Sequence, residues 1–241
     1  MNKVRNNNYS SRIMALIDWI KPGSTVIDVG TDHAYLPIAL MKFQKNYIGK
    51  IIAIDSKVKP LEKAARNIKK AGLDKQISLK LNDGLKDIPL VGDETIIVAG
   101  LGGMLISQIL NQAKNCFSIK NNFILQPNWT WYELRMWLAE NGFAIVKEKV
   151  IADQDKYYSI LLVKFTGETY TISNTEAFCG LNHTINEAST LEQKKAYYQY
   201  LLRLQRIAKK KARGISFYQD IYQDIGIKLE EVIRKNGGYF D

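Results

Sequence analysis

From Thr25 to Phe165 short β-branched runs alternate with longer segments in which apolar positions recur every three or four residues. The runs TVIDVG, KIIAIDS, ISLKLND, ETIIVAG, NNFILQPN, FAIVKEKVIA and YYSILLVKF predict seven strands. YLPIALMKF, VKPLEKAARNIKKAGL and GGMLISQILNQAKN predict helices between the first five, with Gly72 as a C-terminal stop, and WTWYELRMWLAENG predicts one after the fifth. This alternation implies an α/β fold whose mostly parallel sheet is covered on both faces. The connection around Asp153-Gln154-Asp155 is too short for a parallel crossover, so the seventh strand should run antiparallel to the sixth.

Outside the sheet, SSRIMALIDWI predicts a preceding helix ended near Pro22-Gly23. Thr166–Thr175 is a polar linker into a helical region. There Tyr197, Leu201, Leu204 and Ala208 form one apolar stripe, and Phe217, Ile221, Ile225, Leu229 and Val232 a second. With Gly214 between them they predict an antiparallel helical hairpin. The expected division is a catalytic unit over residues 1–165 and a helical extension over 166–241.

Composition adds exclusions. With 46% apolar residues the 241-residue chain can bury a full core, yet no stretch approaches the roughly 20 apolar residues of a membrane span. The polar opening MNKVRNNNYSS lacks the apolar core of a signal peptide, so a cytoplasmic protein is expected, without a membrane partner. Cys116 and Cys179 form no CxxC and have only His33 and His183 as imidazole companions, so neither a disulfide framework nor a metal site is expected. A monomer is expected.

The formal charge of +10 favours a polyanionic partner. It is concentrated in residues 191–213, which hold eight basic residues and one acidic residue. Lys194, Lys195, Arg203, Arg206, Lys209, Lys210, Lys211 and Arg213, interleaved with Tyr197, Tyr198 and Tyr200, suit a phosphate backbone. The competing reading is a solvated helix face with tyrosines in its seam.

Candidate chemistry clusters where strands end. In an open α/β sheet the ligand sits beyond the carboxyl ends of the strands, next to the first one. There VIDVGTDHAYLP supplies Asp28, Gly30, Thr31, Asp32, His33 and Tyr35. One glycine among acids is a poor phosphate cradle, but it suits a cofactor carrying positive charge, as S-adenosylmethionine does. KIIAIDS places Asp55, followed by Ser56, where a carboxylate can accept bonds from ribose hydroxyls, and LNDGL places Asp83 and Gly84 near an adenine edge. Each Asp alone could be a strand-end turn or helix cap. The fourth strand ends Ala99-Gly100-Leu101-Gly102-Gly103-Met104, where at least one glycine serves a tight turn and the others let a ligand approach the backbone. The fifth ends Gln126-Pro127-Asn128-Trp129, either lining the same cleft or capping the next helix. The five aromatics from Phe123 to Trp137 are mostly core, with at most one or two free to stack on a base.

Six parallel strands with an antiparallel one near the edge match the Rossmann-like sheet of class I S-adenosylmethionine-dependent methyltransferases. More narrowly, DVGTDHAYLP, IIAIDS, NDGL, AGLGGM and QPN, followed by C-terminal helices, resemble the bacterial tRNA (adenine(22)-N1)-methyltransferases from about Arg12 onward. The resemblance implies methyl transfer to N1 of an adenine in tRNA, with the helical extension holding the tRNA. On that basis Asp28, Gly30, Thr31, His33, Asp55, Ser56, Asp83, Gly84, Ala99, Gly100 and Gly102 are assigned to the cofactor. Gly103, Met104, Gln126, Pro127 and Asn128 are assigned with the basic helix residues to the substrate. Asp32 is the better candidate for the reacting base, with His33 to orient it and Tyr35 to pack beside either ligand. One departure is Tyr157-Tyr158-Ser159, where the resemblance leads one to expect an acidic residue soon after the tyrosine. Two other readings compete: a small-molecule methyltransferase with a helical lid, and a nucleic-acid-binding protein that keeps the fold without turnover.

Overall fold

The computed structural model describes residues 9–44, 49–181, 189–212 and 215–235. Its seven strands are β1 (Val26–Val29), β2 (Ile51–Asp55), β3 (Ile77–Leu81), β4 (Thr95–Gly102), β5 (Asn122–Trp129), β6 (Phe143–Asp153) and β7 (Lys156–Phe165). They form one sheet in the order β3-β2-β1-β4-β5-β7-β6. β1 through β5 run parallel, whereas β7 lies antiparallel between β5 and β6. The seven predicted strands and the antiparallel seventh are therefore all present.

Period-two alternation explains why the central strands are mostly apolar at successive positions. Val26, Ile97 and Ile124 pack on one face with Leu16, Leu36, Leu40, Ala64 and Ile68, from helices α1 (Ser11–Ile17), α2 (Tyr35–Phe43) and α3 (Val58–Lys70). Their neighbours Ile27, Ile96, Val98, Phe123 and Leu125 pack on the other with Ile106, Leu110, Leu134 and Leu138, from α4 (Gly103–Gln112) and α5 (Trp131–Glu140). Successive side chains point to opposite faces and both faces are covered, so no position on these strands can be left polar without a reason.

The chain continues through α6 (Asn174–Cys179), α7 (Leu191–Lys211) and α8 (Ser216–Lys235). The expected linker is shorter than its composition suggested. Ser173 and Glu176 form a capping box, and Asn174 and Thr175 already belong to α6. Gln205 of α7 lies beside Gly226 of α8, while the Lys211 ammonium donates to the Tyr218 hydroxyl at 3.3 Å, so the two helices run antiparallel as predicted. Gly214 lies outside the described residues. Among those described, no helix is long and apolar enough to cross a membrane.

The hairpin shares a core with the edge of the sheet. Val150 of β6 is buried with Phe178, Tyr197, Tyr200, Leu201, Leu204, Ile221 and Ile225, and Trp131, Tyr132 and Tyr157 pack against them. Next to this core a fully buried ion pair joins Arg135 of α5 to Glu148 of β6. Arg135 also donates to the Ala177 carbonyl at 2.9 Å and the Ser159 hydroxyl at 3.0 Å. Glu148 accepts from Ser159 at 2.6 Å and from the Leu181 N–H at 3.1 Å. Burial works most strongly against the guanidinium charge, but the Glu148 carboxylate and the Tyr200 hydroxyl together outweigh it and hold the Arg135 pKa above its ordinary value. Ser159, at the departure from the expected pattern, serves here as a partner to a carboxylate that β6 supplies.

Removing one member of a buried pair strands the other charge without solvent. Glu148→Ala should therefore lower unfolding free energy by about 3–5 kcal/mol. Arg135→Met combined with Glu148→Leu should cost less than Glu148→Ala alone. Urea unfolding of the three proteins checks this, and a cost below about 1 kcal/mol for Glu148→Ala would show that the pair does not tie α5 to β6.

Candidate functional site

Between β1 and β4 the strand order reverses, and a cleft of about 730 Å³ opens at the carboxyl ends of the strands. Its walls include Asp28 of β1 with Gly30, Thr31, Asp32, His33 and Tyr35 after it, Asp55 at the end of β2 with Ser56 after it, Asp83 and Gly84 after β3, and Ala99 and Gly100 of β4. The N-terminal helix adds Arg12, and β5 adds Asn128.

The loop after β1 is held by the backbone of its neighbour. Gly30 and Thr31 both donate their N–H to the Ile54 carbonyl at 2.9 Å. Asp32 and Ala34 then take left-handed backbone angles, φ 49° and 58°, which non-glycine residues rarely adopt. Asp55 holds that shape: one carboxylate oxygen accepts from the Asp32 N–H at 3.1 Å, and the other from the Lys57 N–H at 3.0 Å. The His33 carbonyl accepts from the Asn67 amide at 2.9 Å. Fixed in this way, the Asp32 carboxylate is exposed and lies 3.3 Å from the His33 Nε2. The His33 ring stacks on Tyr35 with centroids 5.3 Å apart, and Tyr35 stands half in solvent.

Asp28 differs from the other acids because it lies within β1 and is only 6% exposed. Burial pushes its carboxyl up to about 6, opposed by the Thr31 hydroxyl and assisted by the nearby Asp55 charge.

The glycines of β4 divide by role. Gly100 has φ 81°, open space where a side chain would stand, and a carbonyl that accepts from the Asn128 amide at 2.7 Å. Gly102 and Gly103, assigned above to cofactor and substrate, stand apart from the cleft. A Cβ on Gly102 would strike the Trp129 indole, and one on Gly103 the Thr130 carbonyl, so their small size lets the end of β5 pack against β4. Met104 is exposed, with its N–H donated to the Thr130 hydroxyl at 3.2 Å.

The fifth strand end is also split. Gln126 is fully buried, accepts from the Arg12 guanidinium at 3.3 Å, and donates to the Pro127 carbonyl at 3.0 Å and to Asn128 Oδ1 at 3.1 Å. It therefore braces Asn128 from behind instead of facing the cleft. Pro127 and Asn128 line a second cavity of about 250 Å³.

On α7, Lys195, Arg203, Arg206, Lys209, Lys210 and Lys211 are exposed and Lys194 is half-buried, while Arg213 lies outside the described residues, as does His183. Lys209 and Lys211 sit over the Tyr222 and Tyr218 rings. Tyr197 and Tyr200 are buried in the seam, so of the three interleaved tyrosines only Tyr198 reaches the surface. Cleft residues that the pattern did not single out are Arg12, Lys57, Pro60, Gln108 and Gln112. Gln112 had one indirect signal in Gly84: its amide accepts from the Leu85 N–H at 2.9 Å and fills the space a Gly84 side chain would need. Among the described residues no group of three His, Cys, Asp or Glu could hold a metal ion.

Residues 9–161 match the family model of a methyltransferase domain. The tRNA (adenine(22)-N1)-methyltransferase of Bacillus subtilis is 33% identical over 155 residues, 64% of each chain, so the match spans less than two thirds of that relative. Solved structures align over more. A protein of the NADB-Rossmann superfamily from Streptococcus agalactiae superposes with a TM-score of 0.76 at 28% identity, covering 92% of this chain and 97% of that one. TrmK of M. capricolum, in complex with the natural cofactor product S-adenosyl-homocysteine, superposes with a TM-score of 0.69 at 27% identity, covering 97% and 99%.

The buried Asp28 carboxyl has a pH signature. Its pKa of about 6 lies above the ordinary 3.8, so the folded protein holds the proton more tightly than the unfolded chain. Stability from this group is complete below about pH 4 and is lost as pH rises through 6, a difference of up to about 3 kcal/mol. Asp28→Asn is neutral at every pH. It should therefore be more stable than the parent at pH 8 and lose that advantage toward pH 4. Thermal unfolding across this range is the measurement, and a pH-independent difference would remove Asp28 as the buried titrating group.

Proposed function

The chain belongs to the methyltransferase-domain family, among the relatives of the tRNA (adenine(22)-N1)-methyltransferases, and we propose that it moves a methyl group from S-adenosylmethionine to N1 of adenine 22 in tRNA. The observation that carries this reading is the distribution of charge around one cleft. The buried Asp28 suits an ammonium and the Arg12 guanidinium a carboxylate. Each Asp55 oxygen already accepts one backbone N–H and keeps a lone pair for a ribose hydroxyl. Asp83 and Gly84 lie where an adenine edge would rest. Those are the four polar parts of S-adenosylmethionine, so the residues fit the group.

Bound there, S-adenosylmethionine supplies an electrophilic methyl group on a sulfonium. The in-plane lone pair of adenine N1 would take that methyl group while the carbon–sulfur pair stayed with sulfur, and the positive charge would pass to the purine. No proton has to leave N1, so the protein's task is to orient the base and to stabilise the charge that develops on it. Asp32 meets the second requirement. Its carboxylate is fixed by the left-handed backbone, stands at the mouth of the cleft, and is steadied by His33 and Tyr35. Because its N–H rests on Asp55, the residue for the ribose also places the residue for the base.

The tRNA is held by the exposed cations of α7, with residues 166–241 acting as the tRNA-binding extension of the catalytic unit, and the protein works in the cytoplasm as a monomer. The lid alternative lacks support, because among the described residues none beyond Asn128 lines the cleft.

Asparagine tolerates the left-handed backbone as well as aspartate does, so Asp32→Asn isolates the charge. Single-turnover methylation of unmodified tRNA at saturating cofactor should slow by about 10²-fold, with cofactor affinity unchanged. A rate near that of the parent would remove Asp32 from the reaction, and lost cofactor binding would make it a cofactor ligand.

Neutralising Lys195, Arg206 and Lys210 together should weaken tRNA binding and flatten its dependence on the logarithm of salt concentration by about one unit per removed cation. Calorimetric cofactor affinity should stay unchanged. An unaltered salt slope would place the tRNA elsewhere.

A further inference from the structure

The second cavity is separate from the proposed methyl-transfer cleft but shares Asn128 with it as a wall. Trp129, Trp131, Tyr157, Tyr158 and Tyr200 are among its other walls, together with the cations Lys156 and Arg203. Three features of its chemistry converge. At about 250 Å³ it is smaller than the roughly 300–1,000 Å³ of a site for a drug-sized ligand, so it takes one planar ring system and not a second cofactor. Trp129 is 57% exposed although its indole lies against Gly102 on one side, which leaves ring surface open to a ligand. The Trp131 indole N–H is buried without an acceptor among the described residues, so this wall holds an unspent donor that a small turn of the ring would offer to a ligand.

The two cations are both exposed on the outer side and come from different elements, Lys156 at the start of β7 and Arg203 midway along α7. Aromatic walls with flanking cations are the composition of a site for one unstacked nucleotide, the rings meeting the base and the cations its phosphate. This gives the basic helix a fixed point of contact with the sheet, since Tyr200 and Arg203 belong to α7 while Asn128 and Trp129 belong to β5.

We propose that this cavity holds the base of a nucleotide immediately adjacent to the methylated adenine, splayed out of the stack so that its neighbour can enter the cleft. The proposal rests on the tRNA reading above. It assigns the target base to the mouth of the larger cleft, where Asp32, His33 and Tyr35 stand, and the neighbouring base to the far side of Asn128. Asn128 suits a partition because its amide is committed on both sides, donating to the Gly100 carbonyl and accepting from Gln126.

A cycle between protein and RNA tests it. The full chain and Trp129→Ala are each titrated with unmodified tRNA, and with tRNA in which one nucleotide is abasic: the one 5′ of adenine 22, adenine 22 itself, or the one 3′ of it. Trp129→Ala should weaken binding of intact tRNA by about ten-fold, and Trp129→Phe should restore most of it. Against the tRNA abasic at one flanking nucleotide, the substitution should cost nothing further, while cofactor affinity stays constant throughout. Coupling confined to adenine 22 would make the cavity the target-base pocket and overturn the assignment. Equal loss for every tRNA would overturn it as well, by making Trp129 a general support. If the full chain itself fails to bind tRNA, the parent reading falls; if it binds and no coupling is found, only this inference does.

Discussion

Because β2 and β4 flank β1 on opposite sides and run in its direction, the chain segments leaving these strands part company, and a gap opens beyond Val29 that the sheet cannot fill. The rest of the site follows from that reversal. Backbone groups at the strand ends lose their ladder partners there and must find others. Gly30 and Thr31 both turn to the Ile54 carbonyl, and Asp32 and Lys57 turn to the Asp55 carboxylate. The loop can afford two left-handed residues, each costing on the order of 1–3 kcal/mol, only because these bonds over-determine its path. What results is a short stretch of chain that presents Asp32, His33 and Tyr35 outward from a rigid base.

A second constraint acts at the other edge. β7 enters the sheet between β5 and β6, which leaves β6 as the outermost strand and exposes its face to the C-terminal helices. Apolar contact alone would let those helices slide. Arg135 and Glu148 supply direction, since their hydrogen bonds reach Ser159 on β7, the Ala177 carbonyl on α6 and the Leu181 N–H beyond it. A buried pair of this kind adds little net stability compared with an apolar replacement, so its value here is in fixing position. Against the same edge of the sheet, Arg203 of α7 and Asn128 of β5 share one cavity.

Much of this was legible in the sequence because it depended on local pattern. β-Branched runs marked every strand, the short Asp153–Asp155 connection forced the antiparallel turn, and acids at successive strand ends marked one side of the sheet. What was not legible depended on contacts distant along the chain. Arg12 reaches the cleft from a helix that precedes β1 in sequence, and nothing in SSRIMALIDWI distinguishes it from a solvent-facing arginine. Gly102 and Gly103 read as ligand-facing because glycine reports a need for space without saying what fills it; here Trp129 and the Thr130 carbonyl do. The tyrosines among the basic residues of α7 show the same ambiguity. Helical spacing places Tyr197 with the stripe at Leu201 and Leu204, so its burial was readable, but Tyr200 is buried by its neighbours on α5 and β7.

The two cavities meet at a side chain that has no freedom to move. Asn128 donates to Gly100 on β4 and accepts from Gln126 on its own strand, and Gln126 in turn accepts from Arg12 on α1, whose guanidinium also lies 5.1 Å from the centre of the Tyr158 ring. This chain crosses from the first helix through β5 to β4 and touches both cavities, Arg12 lining one and Tyr158 the other. Every amide in it is committed, so reorienting one would leave a buried polar group unpaired. The wall between the cavities is therefore preorganised, and the flexible partner in any complex must be the one that comes from outside. For a folded RNA that means paying the unstacking cost on its own side, against a protein surface already set to receive it.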